Sequence, residues 1–133
     1  MKSQSSRGAK LLLFVIILFA FTSCKKETVE RNIDAFAQLN TEVKADKNVY
    51  NILFSLQEYP YKEVGIKLSK NKSSFFDGIG LNNFVANKVS DNRYGVFVNG
   101  LLANQNYYYQ VYVKDSNSAN EVYSDVFSFK TNP

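Results

Sequence analysis

The stretch from Gly100 to Val113 constrains the fold more than any other part of this chain. It runs Gly100-Leu101-Leu102-Ala103-Asn104-Gln105-Asn106, then Tyr107-Tyr108-Tyr109-Gln110-Val111-Tyr112-Val113. Side chains alternate across an extended strand, so Tyr107, Tyr109, Val111 and Val113 share one face. Leu101 precedes Tyr107 by six positions across a polar turn. That is the spacing of a β-sandwich corner, in which a tyrosine hydroxyl hydrogen-bonds to backbone just upstream. Such an apolar strand face needs a second layer to cover it.

The rest of the chain supplies that layer. Tyr50, Ile52, Phe54 and Leu56 alternate cleanly, as do Val64, Ile66 and Leu68, and then Tyr94, Val96 and Val98. Val122 to Thr131 closes the chain with Phe127 and Phe129 on one face. Pro60, which cannot donate to a ladder, breaks the chain at Glu58-Tyr59-Pro60-Tyr61. Ile33, Ala35, Ala37 and Leu39 are compatible with a first strand or, from Val29 onward, a helix, and a polar turn follows as far as Lys47-Asn48. Positions 69–92 are dense in turn formers (Asn71, Asp77-Gly78, Gly80, Asn82-Asn83, Asp91-Asn92), with Phe75-Phe76 and Phe84-Val85-Ala86 as apolar islands fit for a small edge strand and a loop plug. About seven short strands predict a single all-β antiparallel sandwich over 32–133.

Three segments then resemble strands of a fibronectin type III domain: Val98-Asn99-Gly100-Leu101, Tyr107 to Val113, and Tyr123-Ser124-Asp125-Val126-Phe127-Ser128-Phe129-Lys130-Thr131. Ala103 stands where bacterial versions carry proline, Asn106 where they carry threonine, and Gln110 where they carry arginine. The resemblance covers about 94–131 and implies an immunoglobulin-like sandwich. It also implies a large core residue on an early strand, and since the chain has no tryptophan, Phe54 is expected to fill that volume.

The beginning of the chain has a different character. Positions 1–10 are polar and basic, and Leu11 to Phe21 form 11 uninterrupted apolar residues, short of the ~20 that span a bilayer as a helix. Phe21-Thr22-Ser23-Cys24 follows and resembles the lipobox of bacterial lipoproteins, departing from it at Phe21. The resemblance implies a signal peptide over 1–23, cleavage before Cys24, a diacylglycerol on its sulfur and an amide-linked acyl chain such as palmitate. Two or more chains anchor stably where one does not. Residues 24–31 then form the lipidated cysteine and tether. Asp is absent after Cys24, so the expected address is the outer membrane, with the domain facing the periplasm or the cell surface.

Chemistry is constrained by what the chain lacks. With no histidine and one cysteine, Ser-His-Asp and Cys-His catalysis, imidazole-ligated metals and disulfides have no residues to use. Glu58, Glu63, Asp77 and Asp91 show no pairing that singles out a glycosidase acid and nucleophile. Asp115-Ser116-Asn117 reads as a turn, and no metal or other cofactor is expected. Three of the 16 basic residues lie in the first 23 positions, leaving 13 against 12 acidic ones, all scattered. That leaves no basic stripe for nucleic acid.

What remains is surface. Tyr108 and Tyr112 lie opposite Tyr107 on their strand and should point outward, while Tyr59 and Tyr61 flank Pro60 in a loop. Exposed aromatic pairs stack on sugars or anchor protein partners. The expected function is therefore non-enzymatic: a lipid-anchored envelope module that binds a protein or glycan, or a spacer. The alternative is an inhibitor or immunity-type lipoprotein that blocks an envelope enzyme with the loop at 58–61 or 71–83.

Overall fold

A computed structural model describes residues 34–116 and 120–133. The leader, Cys24, the tether and Ile33 lie outside the described residues. Eight strands follow in order: β1 (Asn40–Asp46), β2 (Val49–Ser55), β3 (Tyr61–Ser69), β4 (Asn82–Val85), β5 (Asn87–Ser90), β6 (Arg93–Val98), β7 (Asn106–Asp115) and β8 (Glu121–Lys130), with one helical turn, α1 (Ser74–Asp77), between β3 and β4. They form two antiparallel four-stranded sheets, β1-β2-β6-β5 and β4-β3-β7-β8. The molecule is the all-β sandwich that the alternation predicts.

The alternating residues meet where the two sheets face each other. Ile52, Phe54 and Leu56 from β2 and its end, Val96 and Val98 from β6, Ile66 and Leu68 from β3, and Tyr109 and Val111 from β7 are nearly inaccessible to solvent. Phe54 is fully buried and stacks on Tyr94 at 5.9 Å. Phe129 lies 5.6 Å from Tyr50 and 6.0 Å from Tyr107, joining β8 to both sheets through ring contacts. Such pairs contribute beyond their buried area.

The start of the domain differs from expectation. Residues 35–38 are a turn, neither strand nor helix, with Ala37 N bonded to Asp34 O at 3.2 Å and Leu39 N to Phe36 O at 3.1 Å. Ala35 is buried there and Gln57 N donates to its carbonyl, so the segment closes one end of the core. The first strand is instead the polar stretch NTEVKAD, of which only Thr41 and Val43 are even half-buried. An edge strand shielded on one side needs few apolar residues, so its alternation is faint in the sequence. The apolar islands also divide: Phe84-Val85 lies in edge strand β4, whereas Phe75-Phe76 forms the single turn of α1, closed by Gly78 at φ 76°.

The corner is present. Leu102 N donates to the Tyr107 hydroxyl at 2.8 Å, and Asn104 takes the left-handed conformation at φ 52° within the same loop. Replacing Tyr107 with phenylalanine removes the acceptor while keeping the ring. Tyr107→Phe is predicted to cost about 1–2 kcal/mol, seen as a fall of several degrees in the thermal midpoint, and an unchanged midpoint would contradict this role for the hydroxyl.

Candidate functional site

The outer face of the second sheet buries one of the tyrosines that alternation turns toward solvent. Tyr112 does lie opposite the core-facing residues of β7, yet its exposure is 0%. It cannot serve as the outward tyrosine that alternation alone predicts. The cause is its neighbour Gly65 on β3, paired with Tyr112 in register. A Cβ at Gly65 would sit 2.6 Å from the Tyr112 ring and 2.3 Å from Phe84 O, so only glycine leaves room for the ring to lie down on the sheet.

A polar lattice covers that ring. The Tyr112 hydroxyl donates to Glu63 Oε2 at 2.9 Å and accepts from Asn83 Nδ2 at 3.1 Å. Lys67 Nζ stands 5.4 Å from the Tyr112 ring centroid and 5.7 Å from that of Tyr123, a cation over two aromatic faces. Lys67 pairs with Glu121 at 3.2 Å, and Lys114 bridges Glu63 at 3.3 Å and Glu121 at 3.5 Å. The Tyr123 hydroxyl also donates to Glu121 Oε2. Glu63, Lys67, Lys114 and Glu121 thus each have an opposite partner, and of the two rings under Lys67 only that of Tyr123 remains exposed, at 46%. Tyr108 is half-buried between the register positions of Ser69 and Ser128. It does not form an exposed patch with Tyr112.

Tyr59 and Tyr61 are apart from that face. Their rings tilt against each other at 5.3 Å, beside the turn where the chain enters the domain. Tyr59 donates to Asp115 Oδ1 at 3.1 Å and Tyr61 to Gln57 O, so the two hydroxyls fasten the loop at 57–60 to the end of β7 and the start of β3.

A concave feature lies at the opposite end of the sandwich. A groove of about 520 Å³ opens between the loop joining β3 to β4 and the loop joining β6 to β7. Its floor is apolar, built from Leu68, Phe84, Leu101 and the ring of Tyr107. Its rim carries Asn71, Asn82, Asn99 and Lys70, all exposed. Unlike Asn83, the three rim asparagines make no side-chain hydrogen bond among the described residues, so their amides are free to meet a ligand. Phe76 (87% exposed) and Ile79 project from the first loop, and Leu102 from the second.

Both walls are held in place before any ligand arrives. In the first, the buried Ser69 and Ser74 hydroxyls bond at 2.9 Å, Asn71 N donates to Ser69 Oγ at 3.1 Å, and Asp77 Oδ1 accepts from Ile79 N at 2.8 Å. In the second, Thr131 from the end of the chain accepts from Gln105 N at 2.8 Å and donates to Leu102 O. Preformed walls reduce the ordering cost of binding. Sequence reasoning reached the loop at 71–83 but not the groove, because its other wall begins only at Val98 and the fold alone brings the two together.

No protein-family model and no curated protein matches the chain. Among solved structures it is similar to the carbohydrate-binding module BhCBM56 in a Br derivative, with a TM-score of 0.51 and 12% identity over 69% of this chain and 90% of that one. It is equally similar to a computationally redesigned β-sandwich protein, with a TM-score of 0.51 and 11% identity over 70% of this chain and 90% of the other. At such identities both are likenesses of fold alone. A β-1,2-glucanase from Parabacteroides distasonis overlaps at 27% identity over 73% of this chain but 13% of its own length, with a TM-score of 0.45, too loose a superposition to define a shared fold.

Two predictions follow from the lattice. Gly65→Ala should cost about 1–3 kcal/mol by overpacking, because the nearest obstacle is a backbone oxygen that cannot swing aside; wild-type stability in that variant would refute the placement of Tyr112. The lattice also has a pH signature. Hydrogen bonds from Tyr112 and then Lys114 hold Glu63 below the usual carboxylate range, and Tyr123 does the same for Glu121. Desolvation pushes the Tyr112 phenol up from 10.0 to about 12. Depressed carboxylates stabilise the fold above their ordinary pKa and lose that effect as pH falls through the folded value. A raised phenol stabilises it below 10.0 and loses the effect as pH climbs toward about 12. Thermal midpoints across pH should therefore hold a plateau between the ordinary 4.5 of Glu63 and 10.0 of Tyr112, falling on both sides. A Tyr112→Phe variant whose alkaline limb is unchanged would contradict the assignment.

Proposed function

We propose that this chain is a lipid-anchored outer-membrane protein whose single fibronectin type III-like sandwich binds a glycan in the end groove without turning it over. The observation that carries the binding reading is the groove itself: an apolar floor under a rim of three uncommitted amides. Sugar rings present just these two aspects, C–H faces that sit on apolar and aromatic surface and hydroxyls that pair with amides. The fibronectin type III reading is supported by the order of the two sheets and the Tyr107 corner. The likeness to BhCBM56 contributes a fold on which sugar binding is practised, and nothing about the ligand.

The anchor reading rests on the leader and on Cys24. A second reading, an inhibitor that blocks an envelope enzyme, is supported by one observation of its own: Phe76 is 87% exposed on α1.

Mass spectrometry of the mature protein is expected to find an N-terminal acylated Cys24, and a mature chain beginning elsewhere without acyl mass would defeat the anchor. For the groove, affinity electrophoresis of the full chain against a panel of soluble polysaccharides should show retardation by at least one. The double substitution Asn82→Ala, Asn99→Ala should weaken it roughly tenfold or more, the scale of one or two lost hydrogen bonds. A one-to-one complex with an envelope hydrolase that Phe76→Ala dissolves, with no polysaccharide bound, would replace this reading with the inhibitor one.

A further inference from the structure

The charge around the groove narrows the ligand, on the premise that the groove binds a glycan. None of its 13 lining residues is acidic, and Lys70 on the rim is basic. The nearest acid in the same loop, Asp77, is not among the lining residues and its Oδ1 is engaged by Ile79 N. Lys67 and Lys114 pair with Glu121 and Glu63, and Arg93 with Glu42 at 3.0 Å; Lys62, Lys72, Lys88 and Lys130 have no ion pair among the described residues, but none of them lines the groove. Lys70 has no ion-pair partner among the described residues.

We infer that the groove selects an acidic sugar chain, one bearing carboxylate or sulfate groups, with Lys70 as the residue that reads the charge. The amide N–H groups of Asn71, Asn82 and Asn99 suit anionic oxygens as well as hydroxyls. Gly100, at φ 73°, has nothing within 4 Å of where a Cβ would stand, which leaves its backbone open to a sugar ring. A lone ammonium facing an anion in a partly shielded groove strengthens binding and makes it salt-dependent, while a neutral chain would meet the same floor and amides without that gain.

The test is affinity electrophoresis of the full chain in non-ionic detergent with three polymers: polygalacturonate, its carboxyl-reduced neutral counterpart and a sulfated polysaccharide. At least one acidic polymer is expected to bind at least tenfold more tightly than the neutral one, with which of the two identifying the anion. Lys70→Ala should remove that preference and Lys70→Arg retain it; Lys70 is exposed, so neither change threatens the fold. Equal binding of acidic and neutral polymers, both lost in Asn82→Ala, Asn99→Ala, would overturn the charge assignment and leave the groove reading standing. A preference for acidic polymers that survives Lys70→Ala would overturn the role of Lys70. Binding of none of the three would overturn the inference, and failure across the wider neutral panel as well would defeat the groove reading itself.

Discussion

The pairing of Gly65 with Tyr112 is the contact on which the rest of this structure depends. It lets β7 be buried on both faces. Inside, Tyr107, Tyr109, Val111 and Val113 supply core; outside, a tyrosine lies flat across the gap that glycine leaves, under a closed set of four charges. The first sheet repeats the device in apolar form, with Leu53 on its outer side beside Gly95, where a Cβ would stand 3.0 Å from the leucine. Both sheets thereby gain packed side chains outside the core as well as within it.

This arrangement moves the functional question away from the sheet faces. A domain that spends its best aromatic and its charges on sealing a sheet has little left there for a partner. The exposed apolar side chains nearest a concavity are instead in the loops, at Phe76, Ile79 and Leu102. Phe97 is 70% exposed on the outer side of β6. The groove combines concavity, preformed walls and polar groups with unused hydrogen-bonding capacity.

Sequence periodicity captured the interior well. The alternations at 50–56, 64–68, 94–98 and 107–113 each became a strand with the expected face buried, and the Leu101–Tyr107 spacing produced a hydroxyl-to-backbone bond. Periodicity assigns a residue to a side of a strand, but it says nothing of what lies across from it. That is why Tyr112 read as an exposed binding residue: its burial depends on a glycine 47 positions earlier. β1 was hidden for the opposite reason, since a polar edge strand needs pairing more than apolar burial. The groove was hidden too, because Asn71, Gly80 and Asn82 read individually as turn formers and Asn99 as part of a strand-like segment, and only the topology sets the two loops against each other.

On the proposed function, ligand is met by the loops at 69–82 and 98–107 and not by a sheet face. Amide hydrogen exchange of the full chain, with and without a saturating acidic polysaccharide, tests it most directly. Slowed exchange is expected only in those two loops, with the amides of Glu63, Tyr112 and Tyr123 unchanged. Protection centred on the outer side of either sheet, with the loops unaffected, would contradict it.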